Sequence, residues 1–515
     1  MSPASVVCVT ILVAIFVYNI FGRFIRRSHR LPPGPKPWPI IGNLPLLGGS
    51  SPHRTLAALA RTYGPIMRLR LGFVNVVVVS SAPMASLFLK TYDAKFSDRP
   101  PNASGKYVAY NYHDLVFGPY GPRWRLLKKI TTINLFSAKA LDAYRQVRQD
   151  EITILVRALA SRGSKEVNLG QILNVCISNA LGRVVIGRKV FDDSRMGDID
   201  PRADEFIKMV VEVLVLGGVF NIGDFIPSLE WLDLQGVVAK MKKVHKRFDA
   251  FLTDIIKQHQ AYEGNDKRSD MLSILLSLKD EEATHEGETL TETEIKALLL
   301  NMFVAGTDTS LVTTEWVMSE LIQHPKVMAR LQEELDTVVG KDRLVSELDL
   351  PRLPYLQAVV KETFRVHPPT PLGLPRMATE DVEINGFHIS KGTTLMVNVW
   401  AIARDPKEWS DPLEFKPERF LADGEKAHVD VTGSHYELIP FGAGRRMCAG
   451  VSLGLRVVQI LTASLVHAFN WDLPVGYDPE DLKKDGDYGH STQRGAPLMV
   501  HPRPRLSAHI YSPSS

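Results

Sequence analysis

The chain has 515 residues, 45% of them hydrophobic and 23% charged, with a formal net charge of +4. This composition excludes a disordered or fibrous chain and leaves room for one large core or two moderate ones. The charge is small for the length and its basic residues are dispersed, so nothing points to nucleic acid. Three cysteines (Cys8, Cys176 and Cys448) with no C-x-x-C or Cys/His cluster argue against a disulfide framework or zinc site and fit a reducing compartment.

Residues 4–22 form an almost uninterrupted apolar run, and about 20 residues are needed to cross a bilayer. Arg23, Arg26, Arg27 and Arg30 follow it, and no Lys or Arg precedes it. The positive-inside rule then puts the rest of the chain in the cytosol, and charges after the run rather than before it favour an uncleaved anchor over a signal peptide. The next stretch, L-P-P-G-P-K-P-W-P at 31–39, predicts a stiff extended spacer. The expected division is a membrane anchor (1–22), a basic and Pro-rich hinge (23–39) and one domain (40–515).

Between 66 and 79 β-branched residues alternate around Gly72, predicting two short strands and a turn. From 82 onward the apolar spacing is mostly helical, so the domain is expected to be mainly α with small β-sheets, an α+β fold. Trp124 and Lys128, four apart, share one helix face and could present a ring N–H and an ammonium to one anion. Residues 263–289 are charged and low in aromatics and read as a solvated helix end and loop. Thr291 and Glu294 have capping-box spacing, and Pro325 ends the helix they would start. Within that helix Ala305, Gly306, Thr307, Asp308, Thr309 and Ser310 form a locally unfavourable stretch, a sign of function or of a close helix contact. Glu362 and Arg365 lie one turn apart; exposed, such a pair stabilises by only about 0.2–0.5 kcal/mol. Asn385-Gly386 is a hairpin signal inside a second small sheet expected over 382–399. Near the end, P-F-G-A-G-R-R-M-C-A-G at 440–450 presents Cys448 on a glycine-studded loop. Gly442, Gly444 and Gly450 allow positive φ and close approach, and Arg445 and Arg446 favour the thiolate.

Phe441, Gly444, Arg446, Cys448 and Gly450 fit F-x-x-G-x-R-x-C-x-G, which resembles the haem-binding loop of the cytochrome P-450 family. The resemblance runs from Leu31 nearly to the end. It implies haem b lying between a long distal helix and the cysteine loop, with Cys448 as the iron ligand. Trp124, Lys128 (where arginine is commoner), Arg376 and Arg446 are the implied propionate partners. Ala305, Gly306, Asp308 and Thr309 match the distal motif that leaves room for dioxygen and relays protons to it. Glu362, Arg365 and Arg419 match a buried triad that serves folding and haem retention.

Further segments are similar to plant flavonoid 3'-hydroxylases within that family: F-S-D-R-P-P-N from Phe96, V-A-Y-N-Y-H-D-L-V-F from Val108, L-F-S-A-K-A-L from Leu135, V-D-V-T-G from Val429 and Q-R-G-A-P-L-M-V-H-P from Gln493. They imply hydroxylation at the 3' position of the flavonoid B-ring, at the endoplasmic reticulum membrane. The reaction would use dioxygen and electrons from NADPH through a separate flavoprotein reductase, since no flavin or nicotinamide fingerprint stands in the chain. Lys128, Lys129 and Arg445 are candidate contacts for that reductase. Where those enzymes tend to read Y-G-L-T-L-Q-R, this chain has His490, Ser491 and Thr492 after Gly489. A flavonoid 3',5'-hydroxylase or another phenylpropanoid hydroxylase therefore stays open. A haem-thiolate isomerase or dehydratase, or a non-catalytic haem protein, would have no use for the Asp308–Thr309 pair.

Overall fold

The computed structural model describes residues 30–49, 51–163, 165–191, 201–262, 270–280, 289–477, 482, 485–488 and 492–512. The expected anchor (1–22), the start of the hinge, and His490 and Ser491 lie outside the described residues.

Strands β1 (Ile66–Leu71) and β2 (Val74–Val79) form the expected antiparallel pair, and Gly72 makes the turn at φ +57°. The Pro-rich segment is more than a spacer: Pro33 accepts a 2.8 Å bond from the Arg68 amide, and a Cβ on Gly34 would meet Arg68 O at 1.9 Å. The hinge is therefore docked along β1.

Helices α1 (Pro122–Thr131), α2 (Arg145–Ser161) and α3 (Leu169–Val185) lead to the central helix α4 (Glu292–Gln323). Thr291 and Glu294 close the predicted capping box at its start. At 32 residues α4 is about 48 Å long. Its apolar residues face all sides, with Ile295, Leu298, Phe303, Trp316 and Leu321 buried in different directions, as a helix through the middle of a core requires. It packs against α3, and also against α5 (Pro354–Val366) and α6 (Val451–Ala468). By length and composition Glu205–Phe225, α4 and α6 could each cross a membrane. For α4 and α6 most of that apolar surface lies inside the globule.

Two expectations need correction. The sheet predicted over 382–399 is divided. Strands β4 (Val382–Ile384) and β5 (Phe387–Ile389), which follow β3 (Arg376–Met377), form the hairpin, and Asn385 and Gly386 both have positive φ as a type I′ turn demands. Strand β6 (Thr394–Val397) leaves the hairpin and runs parallel to β2, giving the order β1-β2-β6-β3. Leu395 and Val397 thereby join Val77, Val79 and Phe88 in one apolar cluster that a lone two-stranded ribbon could not bury. Residues 263–289 are not all solvated either. Helix Met271–Asp280 lies among them and buries Met271, Leu272, Leu275 and Leu276.

Candidate functional site

A cavity of about 430 Å³ separates the cysteine loop from the middle of α4. Cys448, Phe441 and Gly450 line one wall, Ala305, Gly306 and Thr309 the opposite one, and Trp124, Lys128, Arg376 and Arg446 stand at its rim. The residues singled out in distant parts of the sequence thus converge on one space. Val108, Leu115, Val116, Phe117, Val213 and Leu374 make the rest of the lining predominantly apolar.

Backbone geometry presents the cysteine. Gly442 and Gly444 both have φ +69°, and a Cβ on Gly444 would strike Asp93 Oδ1 at 2.3 Å. Gly450 differs from expectation: its φ is −89°, it is the N-cap of α6, and its N–H points at the Cys448 sulfur. The Cys448 amide in turn donates to Phe441 O at 3.0 Å. The expected role of the two arginines in acidifying Cys448 does not hold. Arg445 is drawn off by Asp93 at 2.9 Å, and Arg446 donates to Ser97 O and Gly118 O, both at 2.6 Å. Cys448 is exposed to the cavity, but the protein packed around that cavity removes bulk water and pushes the thiol up, and the Gly450 N–H and the Lys128 charge pull it back.

The rim is crowded with positive charge. Arg376 donates to Asp93 Oδ1 at 2.7 Å and to Ala443 O. Arg99, to which the sequence assigned no role, lines the same cavity and donates to Val116 O, Leu374 O and Pro375 O. Burial, reinforced by the charges of Arg376 and Arg446, holds the Arg99 pKa well below its usual value. Arg446 is pushed down to about 10, first by burial, with Arg376 also lowering it and Asp98 working against the shift. Among the described residues Arg446 Nη1 is a buried donor with no partner. An orphaned guanidinium N–H inside a cluster of three arginines fits an anionic group in the cavity, as haem carboxylates would be. Trp124 is less available, since its ring N–H donates to Leu115 O at 3.0 Å. The Lys128 ammonium donates to Arg445 O at 2.9 Å and lies 5.1 Å from the Trp124 ring centre.

On the far wall α4 is unbroken through residues 305–310, as the expected run from Thr291 to Pro325 requires. Within it the Thr309 hydroxyl bonds back to Ala305 O at 2.8 Å, as Thr313 and Thr314 just beyond do to Thr309 O and Ser310 O at 2.7 and 2.8 Å, whereas Thr307 Oγ1 is buried without a hydrogen-bond partner among the described residues. Asp308 is buried. Gly306 serves packing as well as the cavity, because an added Cβ would lie 3.1 Å from Leu181 of α3. Away from the cavity, Glu362, Arg365 and Arg419 are 0%, 0% and 2% exposed. Glu362 takes bonds from Arg365 at 2.7 and 2.8 Å, from Arg419 at 3.2 Å and from the Lys416 amide at 2.8 Å.

A helical globule with one cysteine on a glycine loop, an arginine rim and a hydroxyl-lined helix across the cavity has the make-up of a haem-thiolate protein. The chain belongs to the cytochrome P-450 family, whose model matches residues 32–495. It is 60% identical to a flavonoid 3'-monooxygenase of Petunia hybrida, covering 99% of this chain and 100% of that one. It is also 60% identical to a flavonoid 3'-monooxygenase of Arabidopsis thaliana, with 98% of each chain covered. A flavonoid 3',5'-hydroxylase of Eustoma exaltatum subsp. russellianum is 47% identical over 95% of this chain and 94% of that one.

Proposed function

We propose that the protein is a membrane-anchored monooxygenase that adds a hydroxyl to the 3' position of the flavonoid B-ring. The observation that carries this reading is the opposition of Cys448 and the Ala305–Thr309 turn across one apolar cavity. The relatives named flavonoid 3'-monooxygenase, more similar than the 3',5'-hydroxylase, supply the substrate.

Cys448 would bind haem iron as a thiolate, and Arg446, Arg376, Arg99, Trp124 and Lys128 would hold its carboxylates. Haem so bound supplies dioxygen activation: one oxygen atom enters an aromatic C–H and the other leaves as water, with two protons and two electrons. The chain's own residues carry the rest. The Gly450 N–H and the α6 N-terminus favour negative charge on the sulfur. Because the Thr309 hydroxyl donates to Ala305 O, its lone pairs remain to accept a hydrogen bond from water in the cavity. Asp308 is buried beside this turn and is not part of the cavity lining, so as the acid that replenishes this water with protons it would act from behind Thr309, and the apolar lining keeps other water away from the ring. Glu362, Arg365 and Arg419 act in folding and haem retention.

Electrons would arrive from NADPH through a flavoprotein reductase. Arg125, Lys129 and Arg445 are exposed beside α1 and suit an acidic partner, whereas Lys128 is turned towards the rim. The anchor at residues 1–22 would fix the chain to the endoplasmic reticulum with the domain in the cytosol. An exposed apolar surface supports this. Trp38, Ile40 and Phe73 are 65%, 64% and 57% exposed on segments that the bonds Gly72 N–Ile41 O and Phe73 N–Phe225 O hold together, and Trp231, six residues after Phe225, is 79% exposed. Exposed aromatic and apolar side chains of this kind suit a lipid interface.

Incubation of the haem-loaded protein with reductase, NADPH and a panel of flavanones, flavonols and hydroxycinnamoyl esters tests the reading. A 3'-hydroxylated flavonoid is expected. A product hydroxylated at both 3' and 5', or on hydroxycinnamoyl esters alone, would replace the substrate assignment and leave the class intact.

A further inference from the structure

The loop 115–118 is held from both sides. Its four consecutive N–H groups donate to two side chains: the Leu115 amide to Asn301 Oδ1 at 2.9 Å, and those of Val116, Phe117 and Gly118 to the Asp114 carboxylate at 3.2, 2.9 and 3.0 Å. Asn301 Nδ2 then donates to Asp114 Oδ2 at 3.0 Å, joining the two. This network fixes the amide orientation, since the flipped amide would aim its oxygen at the carboxylate. The loop's carbonyls face the other way, with Leu115 O on Trp124, Val116 O on Arg99 and Gly118 O on Arg446.

Asp114 is 1% exposed and its hydrogen-bond partners are neutral N–H groups, so the charges of Arg99 and Arg446 nearby offset only part of the cost of burying it. Burial pushes its pKa up against those bonds. Simple loop closure does not need this expense, whereas accurate placement of a wall does. Asn301 lies one turn, about 6 Å, before Ala305 on the cavity side of α4. Leu115, Val116 and Phe117 line the same cavity.

We propose that Asp114 and Asn301 are a positioning pair: by pinning residues 115–117 to α4 one turn from Ala305, they determine which carbon of a planar phenolic ring is presented for oxidation. Neither residue touches the reacting atoms. They act through the side chains of the loop they hold, so their loss should alter regiochemistry and substrate affinity ahead of haem binding. This inference rests on the monooxygenase reading.

The test compares Asn301→Ser, Asp114→Asn and the exchanged double variant Asp114→Asn/Asn301→Asp in the full-length, haem-loaded enzyme with reductase. The probe is a flavanone bearing one B-ring hydroxyl. Asn301→Ser removes the loop-to-helix bonds but leaves the three amide bonds to Asp114. It should raise KM and shift the ratio of 3' to other products by about tenfold, the size of one or two lost neutral hydrogen bonds. Asp114→Asn sets donor against donor and should do more. In the exchanged variant the carboxylate moved to position 301 can accept from the Leu115 amide and from the side-chain amide now at position 114. Only the Val116 bond is then lost, and the product ratio should return towards that of the unmodified enzyme.

An unchanged product ratio and KM in Asn301→Ser, with only thermal stability reduced, would overturn the proposal. So would an exchanged variant no better than Asp114→Asn, or failure of Asn301→Ser to load haem. If the unmodified enzyme oxidises no flavonoid but oxidises another phenolic, the substrate reading fails separately, and the same comparison is made on that phenolic.

Discussion

Replacing Glu362 by alanine distinguishes a surface ion pair from a buried network by magnitude. Were Glu362 and Arg365 an exposed pair, the loss would be about 0.2–0.5 kcal/mol. In the structure the Glu362 carboxylate takes three N–H bonds from two guanidinium groups and one from a backbone amide, with all three side chains at most 2% exposed. Its removal leaves Arg365 facing only the carbonyls of Ala403, Pro412 and Glu414, while Arg419 retains Glu425 at 2.6 Å. Stranding buried charge in this way costs about 3–5 kcal/mol, a large part of a typical 5–15 kcal/mol stability. Urea unfolding can be followed by tryptophan fluorescence, because the Trp409 ring centre lies 5.3 Å from the Arg365 guanidinium. With slopes of about 1–3 kcal/mol per M, the midpoint should fall by about 1 M or more, and haem should be lost in the same transition. Glu362→Gln, which keeps the shape and an acceptor, should lie between. A midpoint shift below about 0.3 M for Glu362→Ala would refute the buried-network reasoning.

Cys448→Ser should abolish the thiolate-specific Soret band of the reduced, carbon-monoxide-treated protein; a band left in place would remove Cys448 as ligand. Thr309→Ala should raise hydrogen peroxide release relative to product, and unchanged coupling would remove the hydroxyl from the proton route. Burial raises the Glu315 pKa to about 7, with Arg494 opposing and Asp308 adding to the shift. A raised carboxyl contributes stability that is full below its unfolded value, about 4.3, and is lost as pH rises through 7. Glu315→Gln should therefore flatten the stability profile between those limits and be the more stable form at pH 8, as melting across that range will show. Charge reversal at Arg125 and Lys129 should raise KM for the reductase most at low salt, with little change in substrate-induced spectra.

What could be read from the sequence was what is encoded within short stretches. The Cys448 loop, the capping box at Thr291, the turn at Asn385-Gly386 and the bounds of α4 each depend on residues a few positions apart. The rest depends on partners distant in the chain. Arg445 reads as a free charge beside Cys448 until Asp93, 352 positions away, takes it. Asp114 meets Asn301 across 187 positions, and Arg99 meets Pro375 across 276. Strand β6 could not be assigned to β2 because a parallel pair needs no adjacency in sequence. The unfavourable stretch at 305–310 was legible for the same local reason, and within it the Thr309 hydroxyl is accommodated by bonding back to the carbonyl one turn earlier.

The parallel join of β2 and β6 also sets a schedule. Val79 and its partner Val397 are separated by roughly 300 residues of synthesis, which at 5–20 residues per second occupy about 15–60 s. During that interval the β2 edge that will receive β6 has no mate, and an open strand edge is a site for wrong pairing. Cys448 emerges later still. The cavity can therefore close around its cofactor only after almost the whole chain has been made, and any slowing of translation between these strands lengthens the period in which the nascent protein depends on chaperones.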